Sequence, residues 1–269
     1  MCIRDRAYIA GFQATSNLEA GRSYGIPTRG TAAHSFTLVH DSEEEAFRAQ
    51  IAAMGTATTL LIDTYNIEQG VRAAIAAAGP ELGGVRIDSG DLPVVVRQVR
   101  AQLDSLGATA TKIVVTNDLN EHTIAGLRGA PVDVFGVGTS VVTGSGAPAV
   151  GLVYKLVART SDSGEWVSVA KKSSHKSNPG GRKTAFRKLA GGQASAELVV
   201  IGPSANAHTD SRELMMALVT NGEAVGPTAP EAIVQAARDH NARASAELPP
   251  EAFSLQPGEP VIPTTFVTD

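Results

Sequence analysis

Arg86-Ile-Asp88-Ser89-Gly-Asp91 gathers a guanidinium, carboxylates and a hydroxyl into one short stretch. Alternate residues of an extended chain share a face, so Arg86 and Asp88 would point the same way. Carboxylates so placed suit sugar hydroxyls, or a Mg²⁺ ion carried by a phosphate, since hard cations prefer oxygen. Asp91, beyond Gly90, has a second reading as the N-cap of a following helix. Gly136-Val-Gly138-Thr139-Ser140 offers backbone N–H groups and hydroxyls, and its glycines would let a phosphate approach the main chain. It is not a dinucleotide fingerprint, because Val141 stands where that motif needs glycine, and it lacks the lysine of a Walker loop. A plain tight turn is the alternative. His34 follows Thr31 in a loop of small residues, beside Ser35. A lone histidine is more often structural, but one at a strand end has a second reading as base or nucleophile.

The elements that must position these residues repeat. Thr59–Asp63, Gly83–Asp88, Thr111–Asn117 and Val132–Gly136 read as short β-prone strands, and Gly25–Thr31 as one more upstream. Ile67–Ala78 has apolar residues at helical spacing, while Leu92–Leu106 and Glu121–Leu127 are helical in composition. Asp41-Ser-Glu-Glu-Glu45 reads as a helix start, where negative charge suits the dipole. Strands recurring at roughly 20–32 residues, with helices between, are the βα period of a parallel sheet. Each strand runs into a polar cluster: Gly30 to Ser35, Asp63-Thr-Tyr-Asn66, Asp88 to Asp91, Thr116-Asn117-Asp118 and Gly136 to Ser140. Parallel α/β folds bind ligands at the carboxyl ends of their strands, and in a βα barrel those ends meet at one mouth. Five clusters in phase point to an active site.

Composition narrows the class. The 269 residues are 43% hydrophobic and 19% charged, enough apolar content for a sizeable core. A formal net charge of −4 argues against a nucleic-acid binder. Cys2, the single cysteine, cannot form an internal disulfide. The longest mostly apolar stretch, Ile51–Ile62, is below the roughly 18 residues of a membrane span. Arg4, Asp5 and Arg6 stand where a signal peptide needs an apolar block. The expectation is a cytoplasmic globular protein with no membrane and no nucleic-acid partner. After Tyr154 the texture changes: residues 151–205 read as short β segments, 211–220 and 230–246 as helices, followed by a Pro-rich tail. The basic run Lys171–Lys188 has no acid and one aromatic, which favours a solvated loop, or one facing a small polyanion, over a nucleic-acid surface.

Taken in order, these segments resemble nicotinate phosphoribosyltransferases. The resemblance runs from Ala7 through Ala7-Tyr-Ile-Ala-Gly-Phe-Gln-Ala-Thr-Ser-Asn17, Tyr24-Gly-Ile-Pro27, Gly30-Thr-Ala-Ala-His-Ser-Phe36, Leu61-Ile-Asp-Thr-Tyr65 and Arg86 to Leu92. It continues through Asn117-Asp-Leu-Asn-Glu121, Phe135-Gly-Val-Gly-Thr139, Val153-Tyr-Lys-Leu156 and the Lys172–Arg187 stretch. It implies a type II phosphoribosyltransferase fold, an irregular α/β barrel with a second domain, usually dimeric. It further implies transfer of phosphoribose from phosphoribosyl pyrophosphate to nicotinate, coupled to ATP hydrolysis with Mg²⁺. On this resemblance His34 is the histidine phosphorylated by ATP, and Arg86 and Asp88 are the pair near the pyridine and ribose. Gly136, Gly138 and Thr139 hold the 5-phosphate, and Thr31, Ser89, Asp91 and Asn117 complete the substrate-binding set. The metal ligands stay unassigned.

Two departures shape the expectations. The family pattern Asp-Thr-Tyr-Asp-Thr reads Asp63-Thr-Tyr-Asn66-Ile67 here, which removes a second carboxylate. Family members also carry a long segment before the match to Ala7, with an arginine that clamps the nicotinate carboxylate, whereas Met1–Arg6 fits no family pattern. The expected fold is therefore an incomplete irregular βα barrel over residues 7–158, with a β-rich and helical C-terminal region over 159–269. The expected function is nicotinate phosphoribosyltransferase in NAD salvage, from a fragment inactive and poorly soluble alone. The alternatives are a nicotinamide or quinolinate phosphoribosyltransferase, or a non-catalytic dimerising partner.

Overall fold

A computed structural model describes residues 3–149, 151–173, 176–202 and 210–268. Met1 and Cys2, Ser174 and His175 of the basic run, and residues 203–205 of the expected β segment lie outside the described residues. The chain divides into two compact units, one built mainly from residues 26–149 and the other mainly from the C-terminal part.

Up to residue 149 the chain opens with four helices and then alternates strands with helices. In chain order they are α1 (Ile3–Ile9), α2 (Leu18–Tyr24), α3 (His34–Leu38), α4 (Glu43–Met54), β1 (Thr59–Leu61), α5 (Ile67–Ala78), β2 (Gly84–Ile87), α6 (Leu92–Ser105), β3 (Lys112–Val115), α7 (Glu121–Gly126), β4 (Val134–Phe135) and α8 (Thr139–Thr143). The strands are all parallel, in the order β1-β2-β3-β4. Helix starts follow from local chemistry. Ser42 accepts from Glu45 N–H, Asn66 from Gln69 N–H, and Asn120 closes a capping box with Thr123. The expected strand at Gly25–Thr31 is corrected: there the chain makes only a single bridge, Thr15 to Thr28. Thr15 N–H donates to Pro27 O and Arg29 N–H to Thr15 O, which pins this segment without a ladder.

Register divides the sheet's two faces. Leu60, Val85 and Ile113 align across β1, β2 and β3, and with Ile62, Ile87 and Val115 they pack on Val71 and Ala74 of α5 and Val96, Val99 and Leu103 of α6. The opposite row is Leu61, Arg86, Val114 and Val134. A guanidinium therefore stands on the face away from the helical core.

The second unit holds β5 (Ala158–Thr160), β6 (Trp166–Ser168), β7 (Lys172–Ser173), β8 (Lys176–Ser177), β9 (Lys183–Ala190), β10 (Gln193–Ile201), β11 (Ser211–Glu213), β12 (Val219–Thr220), β13 (Glu223–Ala224), α9 (Pro230–Ala246), a 3₁₀ turn and β14 (Thr264–Thr268). Its main sheet runs β11-β9-β10-β14, with Phe186, Leu198 and Val200 buried. Gly191 and Gly192, both at positive φ, make the β9–β10 turn. The helix expected over 211–220 is corrected. Ser211–Glu213 pairs with β9, and Val219–Thr220 forms a hairpin with β13. Asn221 and Gly222, both at positive φ, supply that hairpin's turn. The basic run is not one solvated loop either, since its end forms β9. There Arg187 is ion-paired to Glu197 at 2.9 Å and Glu247 at 3.3 Å. Among the described residues no helix is long and apolar enough to cross a membrane.

Candidate active site

Two residues beyond the row Leu61, Arg86, Val114 and Val134 come Asp63, Asp88, Thr116 and Gly136. The two-residue pleat carries these onto the same face as Arg86, at the carboxyl ends of consecutive strands. Thr116 N–H bonds Ile87 O, and Gly136 N–H bonds Val115 O, so the ladder continues past the strand ends and holds this row rigidly.

Arg86 is the hub. Its Nε donates to Thr116 Oγ1 at 2.7 Å and its Nη1 to Thr31 Oγ1 at 2.8 Å, while Nη2 lies 3.3 Å from Asp88 Oδ2. Asp88 Oδ1 accepts from the Thr116 hydroxyl at 2.5 Å. Both carboxylate oxygens thus have partners.

Asp63 is the most enclosed acid of the cluster, with its side chain 1% exposed. Its Oδ2 accepts from Asp88 N–H at 2.7 Å and from Ser89 Oγ at 2.6 Å. Its Oδ1 is buried with no hydrogen-bond partner. His34, first residue of α3, bonds Thr64 Oγ1 through Nδ1 at 3.1 Å. Its Nε2 lies 3.9 Å from Asp63 Oδ1 and 3.8 Å from Asp88 Oδ2. An imidazole nitrogen thus faces two carboxylates with no hydrogen bond committed to either.

Behind this group stands Glu43, first residue of α4. Burial, then the charge on Asp63, pushes its carboxyl up to about 7, and its Oε1 is buried without a partner.

The expected residues Thr31, His34, Arg86, Asp88 and Ser89 are therefore joined by hydrogen bonds or short charge contacts. Gly136 touches the group through Thr116: a Cβ added there would meet Thr116 Cγ2 at 2.6 Å. Among the described residues no hydrogen bond or ion pair links Asp91, Asn117, Gly138 or Thr139 to the group. Asp91 stands at the N-cap of α6 but its side chain makes no capping bond. Thr139 opens α8, just past the Gly138 turn. Asp63, Thr64 and Thr116 belong to the polar strand-end clusters without being singled out as site residues, and Glu43 reads only as part of an acidic helix start. The place of Asp63 just past β1, matching Asp88 past β2, was the available signal. Glu43 had none, because acids at a helix start have an ordinary electrostatic reason.

Hard oxygen donors dominate the cluster. Among the described residues no group of three or more His, Cys, Asp or Glu is arranged to hold a metal ion. The orphaned Asp63 Oδ1 nonetheless fits Mg²⁺, which uses one or two carboxylates and takes its other ligands from water and substrate phosphates.

No family model matches the chain. Among curated proteins it is 51% identical to nicotinate phosphoribosyltransferase pncB1 of Mycobacterium tuberculosis, over 97% of this chain and 58% of that protein. It is 41% identical to the nicotinate phosphoribosyltransferase of Bacillus subtilis, over 67% of this chain and 39% of that protein. The chain therefore spans little more than half the length of its mycobacterial relative. Among solved structures, human nicotinic acid phosphoribosyltransferase superposes with a TM-score of 0.71 at 22% identity, covering 99% of this chain and 64% of that one. Nicotinate-nucleotide pyrophosphorylase from Pyrococcus furiosus gives 0.69 at 20%, covering 91% and 61%. At such identities the structural likeness shows the fold, an α/β fold shared with these proteins. The sequence identity carries more: this chain belongs to the nicotinate phosphoribosyltransferase family.

Proposed function

We propose that the protein carrying this chain makes nicotinate mononucleotide from nicotinate and phosphoribosyl pyrophosphate, with coupled ATP hydrolysis. The observation that carries the reading is the convergence of Arg86, Asp88, Asp63 and His34 at the carboxyl ends of consecutive parallel strands, in a chain 51% identical to a nicotinate phosphoribosyltransferase. The unbroken strand order β1-β2-β3-β4 supports a βα-barrel wall, because a doubly wound sheet would reverse direction.

In the transfer, the pyridine nitrogen bonds to the anomeric carbon as the bond to pyrophosphate breaks. Positive charge develops on the ribose ring, and Asp88, held by Thr116 and Arg86, is oriented to stabilise it. The backbone N–H groups of Gly136–Thr139 and the Thr139 hydroxyl receive the 5-phosphate. Asp63 and Asp88 are the residues that would hold Mg²⁺, which would supply positive charge against the leaving pyrophosphate. His34 accepts the γ-phosphoryl of ATP: an N–P bond forms at Nε2, the β–γ P–O bond breaks, and ADP leaves. The hydrogen bond between His34 Nδ1 and the Thr64 hydroxyl supports this, because it engages one ring nitrogen and leaves Nε2 as the other. The family likeness supports a cytoplasmic homodimer.

The test supplies the full-length protein with phosphoribosyl pyrophosphate, Mg·ATP and, in turn, nicotinate, nicotinamide or quinolinate. The reading expects mononucleotide from nicotinate alone, and a loss of about 100-fold or more in kcat for Asp88→Asn. Preference for nicotinamide or quinolinate, or undiminished turnover in the variant, overturns it.

A further inference from the structure

Two parts of the site are built on the side chain of Thr116. Its hydroxyl accepts from Arg86 Nε at 2.7 Å and donates to Asp88 Oδ1 at 2.5 Å, so both hydroxyl roles are used by charged groups. Those bonds come from one rotamer. A β-branched side chain is stiff at χ1, so a hydroxyl committed to Arg86 and Asp88 also fixes where the γ-methyl points. The methyl points at Gly136, whose added Cβ would lie 2.6 Å from it. The next nearest atoms to that Cβ are Thr116 Cβ at 3.6 Å and Val115 O at 3.8 Å, ordinary contacts. Gly136 is absent from the positive-φ glycines, so its conformation does not demand glycine; the space does. Thr116 itself cannot drift, because its N–H is bonded to Ile87 O.

We propose that Thr116 is the positioning residue that couples the two halves of the site: its hydroxyl orients the Arg86–Asp88 pair, and its methyl makes glycine obligatory at the start of the Gly136–Thr139 turn. The kinetic half of the proposal rests on the phosphoribosyltransferase reading; the packing half does not. The coupling has a plain logic. A ribose 5-phosphate must meet the turn with its phosphate and the Arg86–Asp88 pair with its anomeric end. The distance between those contacts is then set by one stiff side chain rather than by two loops adjusting separately.

Four variants of the full-length protein separate the parts. Thr116→Val keeps the methyl and deletes the hydroxyl, leaving Arg86 Nε and Asp88 Oδ1 unpaired. It is expected to lower kcat/KM by about 10- to 100-fold. Thr116→Ser keeps the hydroxyl and is expected to stay within about threefold of the parent. Gly136→Ala is expected to lower the unfolding temperature and to raise KM for phosphoribosyl pyrophosphate by about tenfold or more. Gly136→Ala made in the Thr116→Ser background is expected to regain both, because the methyl that met the new Cβ is gone. A threonine that only filled space would tolerate the isosteric Thr116→Val with kcat/KM unchanged, so that variant separates positioning from packing. Thr116→Val kinetics like the parent's, or strictly additive losses in the double variant, overturn the proposal. If no variant and no parent protein transfers phosphoribose, the functional reading has failed, and the thermal cycle between Thr116→Ser and Gly136→Ala alone decides the packing coupling.

Discussion

Replacing Asp63 by Asn changes one oxygen to an NH₂ group and removes one charge from the most enclosed acid of the strand-end cluster. Asp63 Oδ2 receives two donors, Asp88 N–H and Ser89 Oγ, so the Asn oxygen must take that side. Those bonds then lose their charge assistance, a change of about 1 kcal/mol each. The new NH₂ falls where Oδ1 lay, so one buried group without a partner replaces another at little net cost. Relief of the buried charge and of its repulsion with Glu43 offsets part of the loss at Oδ2. The net expectation is destabilisation by about 1 kcal/mol, or roughly 2–4 °C in Tm for a protein of this size. A second readout is specific to the geometry. The Asp63 charge is the smaller of two causes that raise Glu43, so in the variant the Glu43 carboxyl should titrate lower than about 7 yet stay above its ordinary range. Urea denaturation and ¹³C NMR titration of the glutamate carboxyls measure both effects. A variant as stable as the parent, with Glu43 titrating unchanged, would refute this picture of the site.

Two further outcomes follow from single atoms. Folding holds the Glu43 proton more tightly than the unfolded chain does, so its favourable contribution is complete below about 4.5 and disappears as pH rises towards about 7. Glu43→Gln should therefore gain on the parent across that window, by on the order of 1 kcal/mol at alkaline pH once solvent screening of this partly exposed group is allowed for; a pH-independent difference in urea midpoints contradicts it. Gly70→Ala should lose about 1–3 kcal/mol, although alanine normally favours a helix, because its Cβ would lie 2.3 Å from Ile62 O. Gly126→Ala on α7, with open space around it, is the control that should not lose stability.

What the sequence makes legible is what local chemistry decides. The stretch Ile67–Ala78 forms a helix with the bounds its apolar spacing marks, because Asn66 caps one end and Gly79 ends the other. Arg86 and Asp88 do share a face, which needs only the pleat. The failures have tertiary causes. Residues 211–220 are helix-favouring in composition, but Ser211–Glu213 is captured by β9, and Asn221-Gly222 is a hairpin turn that outweighs propensity. Gly25–Thr31 lacks a partner strand and settles for the bridge to Thr15. In the site, Asp63 lay in a recognised polar cluster, but its burial follows from Asp88 and Ser89 folding over it, which pattern alone does not reveal. Glu43 comes near Asp63 only through the packing of α4 on the sheet's helical layer. Thr116 is one of many threonines until its two bonds are seen.

The most direct test of the account is the fate of the γ-phosphate. Full-length protein incubated with Mg·[γ-³²P]ATP should acquire an acid-labile, alkali-stable label that maps by mass spectrometry to His34. His34→Ala should lose the label together with the ATP dependence of nicotinate mononucleotide synthesis. An unlabelled His34 in active enzyme, or a His34→Ala variant whose synthesis still responds fully to ATP, would contradict the role assigned to the imidazole between Asp63 and Asp88.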